Sequence, residues 1–224
     1  MRVVCDKERL KEALSVLSGT VPTQSTTPIA LDVLVEARPD GVCLRATDTN
    51  VFVGLDILEV EVEEAGRACV PFARFSGLVR EIEGEKVSLR REEGEYNLRV
   101  EANGDRFTVV GHRPEDFPEA PQRPDVQRVK VEWEPVVEGF RSVAFAASKE
   151  AARQQMQGVA LTFQAKKLVM TATDGKRLAE YSLSLTSEFD RRIEGIVPPR
   201  AVETVVRLLS FLQGEAELGL DPQG

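Results

Sequence analysis

Two carboxylates stand in matching settings: Asp48 within Ala46-Thr47-Asp48-Thr49 and Asp174 within Ala172-Thr173-Asp174-Gly175. Paired aspartates are the equipment of general acid–base chemistry when the two carboxyls come within the short separations such pairs need. An enzyme using Asp48 and Asp174 is therefore one reading. A turn is another, because an Asp side chain accepts hydrogen bonds from backbone N–H groups just ahead of it. His112 is the sole histidine of the 224 residues and precedes Arg-Pro-Glu-Asp-Phe-Pro, the composition of a surface turn. Cys5, Cys43 and Cys69 lack Cys-x-x-Cys spacing and sit in hydrophobic stretches, as buried free thiols do. With one histidine, a zinc site of several His and Cys ligands is short of donors, and a nucleophile–histidine pair has only His112 as its base. Neither a G-x-x-x-x-G-K-[ST] phosphate loop nor a G-x-G-x-x-G dinucleotide fingerprint occurs. The expectation is a protein that is not an enzyme and holds no metal or cofactor.

The repeated Ala-Thr-Asp belongs to a longer correspondence. Ala46 and Ala172 are 126 residues apart, Val70-Pro71 and Val197-Pro198 are 127 apart, Lys7 and Glu134 are 127 apart, and Gly84-Glu85 and Gly214-Glu215 are 130 apart. Landmarks kept in order and nearly in register indicate two copies of one module, far longer than a solenoid repeat. In different copies, Asp48 and Asp174 are equivalent residues rather than partners, which favours the turn. A chain with 42% hydrophobic and 29% charged residues is an ordinary globular one. It contains no apolar run long enough to span a bilayer, and its first residues lack the apolar core of a secretory signal, so a cytoplasmic location is expected.

The elements that must carry these residues follow from periodicity. Leu10, Ala13, Leu14 and Leu17 share one helical face, with Asp6 as N-cap and Gly19 after the last turn. Strand-like runs follow at residues 30–37, 42–48 and, as one long run, 51–62. A second helix is predicted around Phe75, Leu78, Val79 and Ile82. Three alternating runs at Lys86–Glu92, Tyr96–Ala102 and Arg106–Val110 are separated by Glu92-Glu93-Gly94 and the hairpin signal Asn103-Gly104-Asp105. Pro114, Pro118, Pro121 and Pro124 mark a linker. The order then restarts: a strand at 126–133, a helix from Glu134 to about Ala146, strands at 158–164, 167–173, 177–185 and 194–198, and a helix burying Val202, Val205, Val206 and Leu209. This is an α+β chain of two modules, 1–122 and 123–224, each with two helices on antiparallel strands. Gly224 aligns with Gly94, so the second copy is expected to lack its last strands, and the chain to be a fragment or shortened product of a longer protein.

Thr27-Pro28-Ile29, Ala46-Thr47-Asp48, Val70-Pro71, Asp116-Phe117-Pro118, Ala172-Thr173-Asp174-Gly175 with Arg177-Leu178, and Val197-Pro198-Pro199-Arg200 follow one another in this order. Through these residues the chain resembles the bacterial DNA sliding clamp, the beta subunit of the replicative polymerase. The resemblance implies the DNA clamp fold: three modules per chain, two chains head to tail, and a six-module ring with helices facing the hole. It implies a processivity factor that encircles duplex DNA without reading sequence and tethers the replicative DNA polymerase, with a clamp loader and repair proteins as further partners and no membrane. The chain spans one complete module, most of a second and none of the third. The 224 residues alone are accordingly not expected to close a ring; an adaptor that binds peptides and encircles nothing is the alternative.

On the resemblance, the DNA-facing residues are Lys7, Arg9, Lys11, Arg74, Arg80, Arg141, Lys149, Arg153, Arg200 and Arg207, although solvated helix faces look the same in sequence. Weak phosphate contacts permit sliding. The net charge of −8 fits if acidic stretches such as residues 59–66 and 91–95 lie off the helices. Gln24 stands where some members carry a loop arginine and Gln154-Gln155 where some carry an aromatic pair, leaving Arg153 as the nearby cation. The partner-peptide pocket carries over to Thr173, Gly175, Arg177 and Leu178, with Met156 in place of the usual leucine; the rest of that pocket belongs to the third module.

Overall fold

A computed structural model of the protein describes residues 1–57, 60–120, 126–148, 156–209 and 214–221, apart from the side chains of residues 187 and 190. The chain divides into two compact units, Met1–Ala120 and Pro121–Gly224.

In the first unit, β1 (Arg2–Asp6) runs directly into α1 (Lys7–Leu17). Asp6 Oδ1 accepts from Arg9 N–H at 2.9 Å, satisfying one of the helix's free N-terminal donors. Leu10, Leu14 and Leu17 are buried on the expected face. Gly19 follows the helix as expected, and Ser18 before it is the cap: the Ser18 N–H donates to Leu14 O at 3.0 Å and its hydroxyl to Ser15 O at 2.6 Å. Next come β2 (Asp32–Arg38), β3 (Gly41–Thr47), β4 (Phe52–Ile57), β5 (Glu61–Glu64), β6 (Gly66–Pro71), α2 (Phe72–Glu81), β7 (Lys86–Arg90), β8 (Leu98–Ala102) and β9 (Asp105–Val109). They form two sheets, ordered β5-β1-β7-β8-β9 and β4-β3-β2-β6.

The run expected as one strand over residues 51–62 is divided between those sheets. β3 is seven residues long, and its ladder with β4 ends at Val42↔Ile57, so the continuation pairs with β1 as β5 instead. At the hairpin between β8 and β9, Asn103 (φ 51°) and Gly104 (φ 89°) both take the left-handed conformation, the signature of a type I′ turn.

The proline-rich stretch also departs from expectation. Its first half packs onto the first unit: Pro114–Asp116 form a short 3-10 turn, Phe117 is buried against Leu34 and Cys69, and the His112 N–H donates to Cys69 O at 2.8 Å across an isolated bridge. Gly111 makes this approach possible. A Cβ there would stand 2.2 Å from Tyr96 O and 2.5 Å from Cys69 O, so no side chain fits where the chain crosses between the two sheets.

The second unit contains β10 (Arg128–Glu132), α3 (Trp133–Val143), a 3-10 turn at Ala144–Ala146, β11 (Val159–Thr173), β12 (Leu178–Val197), α4 (Pro199–Leu209) and β13 (Glu215–Gly219). The four middle strands expected from the sequence lie within two continuous runs that pair in two registers, residues 159–163 with 193–197 and 167–173 with 178–184. Exposed residues Gln164–Lys167, with Ala165 at φ 49°, mark the discontinuity.

Repetition of the module is visible in the pairing. β1 meets β7 from Arg2↔Arg90 to Asp6↔Lys86, and β10 meets β13 from Arg128↔Gly219 to Glu132↔Glu215. In each unit the helices pack as a pair, α1 on α2 and α3 on α4. The second core gathers Val136, Phe140 and Val143 of α3 against Phe163, Leu168 and Met170. From α4 it takes Val202, with Val205 and Val206 only partly buried, while Thr204 is buried beside them. Among the described residues no helix is long and apolar enough to cross a membrane.

Candidate functional site

The repeated aspartates make the same turn in both units. Asp48 Oδ1 accepts from the N–H groups of Asn50 (3.0 Å) and Val51 (2.8 Å), and Asp174 Oδ1 from those of Lys176 (2.9 Å) and Arg177 (3.0 Å). Thr47 Oγ1 likewise accepts from Thr49 N–H at 2.9 Å, and Thr173 Oγ1 from Gly175 N–H at 3.1 Å. The third turn residue is left-handed in both, Thr49 at φ 79° and Gly175 at φ 86°. Glycine enters that conformation without steric cost, whereas a β-branched threonine is strained in it. Both carboxylates are engaged in local hydrogen bonds, each within its own unit. The backbone N–H of Lys176 first, then the N–H and guanidinium of Arg177, hold the Asp174 carboxyl below the usual carboxylate range.

The other candidate chemistry, a cysteine near a histidine, is wired for structure. Asp32, 1% exposed, accepts from Cys69 Sγ at 3.5 Å and meets His112 Nδ1 at 2.5 Å. The thiol faces the carboxylate rather than the imidazole. Burial, and after it the Asp32 charge, raise the Cys69 thiol's pKa, the opposite of what a thiolate nucleophile needs. Cys5 is pushed up to about 12, chiefly by burial, and Cys43 is also raised by burial; all three thiols are free and buried. Among the described residues no cluster of three or more His, Cys, Asp or Glu stands ready to hold a metal ion.

Eight of the ten cations expected to face DNA lie on the four helices. Lys7 and Lys11 are half-buried and Arg9 exposed on α1, where Lys11 Nζ pairs with Glu8 at 2.9 Å. Arg74 and Arg80 are exposed on α2, and among the described residues neither forms an ion pair. Arg141 on α3 and Arg200 and Arg207 on α4 are exposed. Lys149 and Arg153 lie outside the described residues. Acidic residues are off the helices at two stretches: Glu61, Glu63 and Glu64 are on β5, and Glu92 and Glu93 in the turn after β7.

Around the second turn the structure brings together Thr173, Gly175, Arg177 and Leu178. The Thr173 hydroxyl donates to Arg177 O at 2.7 Å, and Thr173 pairs with Leu178 across β11 and β12. Arg177 Nε donates to Asp174 Oδ2 at 3.0 Å. Met156 is half-buried; its carbonyl accepts from Ser148 N–H at 2.8 Å, tying it to the segment that follows α3. Sequence reasoning overlooked Phe145 in that segment. Its ring lies under the Arg177 guanidinium, 5.5 Å from Cζ to centroid, and is 61% exposed. The available signal was faint, a single phenylalanine among alanines just past the buried face of α3.

Family models agree with this architecture: the N-terminal domain of the DNA polymerase III beta subunit matches residues 1–121, and its central domain matches residues 131–223. The chain belongs to the DNA polymerase III beta subunit family. The beta sliding clamp of Chlamydia muridarum is 27% identical over 210 residues, which are 94% of this chain and 57% of that protein. A Pseudomonas aeruginosa sliding clamp solved with griselimycin bound is 26% identical, with a TM-score of 0.89 over 98% of this chain and 59% of the other. The Bacillus subtilis DNA polymerase sliding clamp has a TM-score of 0.94 over 99% of this chain and 60% of its own; at 21% identity it speaks for the fold alone. The chain thus spans about three fifths of the length of these clamps. The α+β clamp fold, two helices on antiparallel sheets in each unit, is that of this beta subunit family.

Proposed function

We propose that this chain supplies two successive modules, 1–122 and 123–224, of a ring-forming sliding clamp that encircles duplex DNA and tethers the replicative polymerase without catalysing a reaction. The observation that carries the reading is the pair of consecutive beta-subunit domain matches, joined to a fold that follows solved clamps over nearly the whole chain.

In this reading Lys7, Arg9, Lys11, Arg74, Arg80, Arg141, Lys149, Arg153, Arg200 and Arg207 face the duplex. A ring that must slide needs a modest, sequence-independent attraction to phosphates, and cations on helices that also bear glutamates supply one. The overall charge of −8 is compatible because attraction depends on where charge lies rather than on its sum. Met156, Thr173, Gly175, Arg177 and Leu178 form part of a surface for the short peptides by which the polymerase, the clamp loader and repair proteins attach. The ring is a head-to-tail homodimer working in the cytoplasm. No catalysis is needed of Asp48, Asp174 or Cys69, whose side chains are engaged in hydrogen bonds.

The test is retention on DNA by the protein as its cells make it. Loaded on a nicked circular plasmid by its clamp loader and passed through a sizing column, it is expected to travel with the circle and to be released when the plasmid is cut. Equal retention on circular and linear DNA would overturn the encircling reading.

A further inference from the structure

We propose that Phe145 is a positioning residue of the peptide surface. Its ring holds the Arg177 guanidinium beside Leu178, so that the two Nη groups take a carbonyl or carboxylate of a bound peptide while an apolar side chain of that peptide covers Phe145 and Leu178. This rests on the reading of residues 173–178 as part of a peptide site.

Arg177 is 55% exposed, and an exposed arginine ordinarily loses much rotamer freedom when a ligand fixes it. Here the protein has already restricted it from two directions. Nε is bonded to Asp174 Oδ2, whose carboxylate is itself pinned by two backbone N–H groups. The guanidinium lies over the Phe145 ring with Cζ 5.5 Å from its centroid, a cation–π distance. Among the described residues neither Nη nitrogen has a hydrogen-bond partner, leaving donors in the planar fork that suits a carboxylate or carbonyl.

The ring is firmly mounted. Phe145 lies in the 3-10 turn after α3, between fully buried Val143 and Ala146, both 0% exposed. A side chain anchored on both flanks yet itself largely exposed is preorganised for contact. Leu178, next to Arg177 in the chain, is 66% exposed. A donor fork unbonded among the described residues, set over an exposed aromatic ring and followed in the chain by an exposed leucine, fits one kind of partner: an extended peptide with an apolar side chain adjacent to an accepting oxygen.

Two measurements on the protein as its cells make it test this. The first is the Arg177 Nε–Hε resonance in arginine-labelled protein. The ring should shift it in the parent and in Phe145→Tyr, and Phe145→Leu, which keeps apolar bulk without a π face, should abolish that shift. An unchanged resonance in Phe145→Leu would overturn the positioning role. The second is calorimetric binding of griselimycin. Phe145→Leu should weaken it by about fivefold, the scale of an exposed cation–π contact, Phe145→Tyr should restore it, and Phe145→Leu should add no loss in an Arg177→Ala background. Loss that persists in that background would mean that Phe145 acts without Arg177, which also overturns the proposal. Absence of any griselimycin binding by the parent, with the resonance behaving as expected, would instead overturn the peptide-site reading and with it the role of Phe145 in peptide binding.

Discussion

Alanine at Gly139 and alanine at Gly77 are the same chemical change inside a helix, yet the structure demands opposite outcomes. In α2 a Cβ on Gly77 meets nothing within 4 Å. The effect there is alanine's helix preference over glycine, a stabilisation of about 0.5–1 kcal/mol. In α3, Gly139 lies on the buried face, and its Cβ would stand 2.6 Å from Met170 Sδ and 2.8 Å from Tyr181 Cδ1. Met170 is 0% exposed, so its thioether has no open space to enter, and the Tyr181 ring is rigid. Overpacking of this kind costs about 1–3 kcal/mol, which exceeds the helix gain and leaves Gly139→Ala destabilised by roughly 1–2 kcal/mol. Trp133, the sole tryptophan, is buried at the start of α3, so its fluorescence follows the second unit through a urea titration. Gly139→Ala should lower that midpoint, and Gly77→Ala should raise the midpoint seen by far-UV circular dichroism. Met170→Val, harmful alone, should recover part of the loss in Gly139→Ala because the two positions share one space. A Gly139→Ala midpoint at or above the parent's would refute the reasoning, since the close packing of α3 on β11 and β12 would then not exist.

Three further outcomes are expected. Thr49→Gly should stabilise the first unit by about 0.5–1 kcal/mol, because relief of a left-handed β-branched residue outweighs glycine's added chain entropy, whereas Gly175→Thr should destabilise the second by about 1–2 kcal/mol; paired urea titrations check both, and equal effects of one sign would contradict the geometry. Because the Asp174 pKa is lowered in the fold, its contribution is present above its unfolded pKa of about 3.9 and is lost as pH falls through the folded value. The Arg177 Nε–Hε chemical shift should thus hold constant from neutral pH to about pH 5 and move only in stronger acid, and a transition near neutrality would count against the Asp174 contact. Cys5, Cys43 and Cys69 should resist a thiol reagent in native protein and all react in urea, as burial and raised pKa values demand; rapid native labelling of any of them would show the burial to be wrong.

Local patterns were legible because their causes are local. The i, i+3, i+4 and i+7 spacing of Leu10 to Leu17 located α1, and Asp6 caps it as its type and position required. Asn103-Gly104 makes its hairpin because both residues tolerate positive φ. The turn role of Asp48 and Asp174 was readable for the same reason, since each bonds N–H groups two and three residues ahead. The Asp174 turn also brings Thr173, Gly175, Arg177 and Leu178 within six residues of chain, so their grouping was legible in the sequence, while their reading as a peptide surface comes from the family resemblance.

Tertiary structure decided what depends on distant partners. The sequence by itself determined that a strand-like run covers residues 51–62, but only the lengths and positions of β3 and β1 divide it between two sheets. Proline content marked residues 114–118 as linker-like, yet a buried Asp32, the Cys69 carbonyl and a glycine-sized gap at Gly111 draw that segment onto the first unit. Phe145 and Arg177 are 32 positions apart and acquire their contact only when the turn after α3 packs beside the β11–β12 turn. Hydrophobic period and turn chemistry act over a few bonds and are written in the chain. Which strand accepts a hydrogen bond, and which ring lies under which cation, is set by packing among segments that the chain's order does not adjoin.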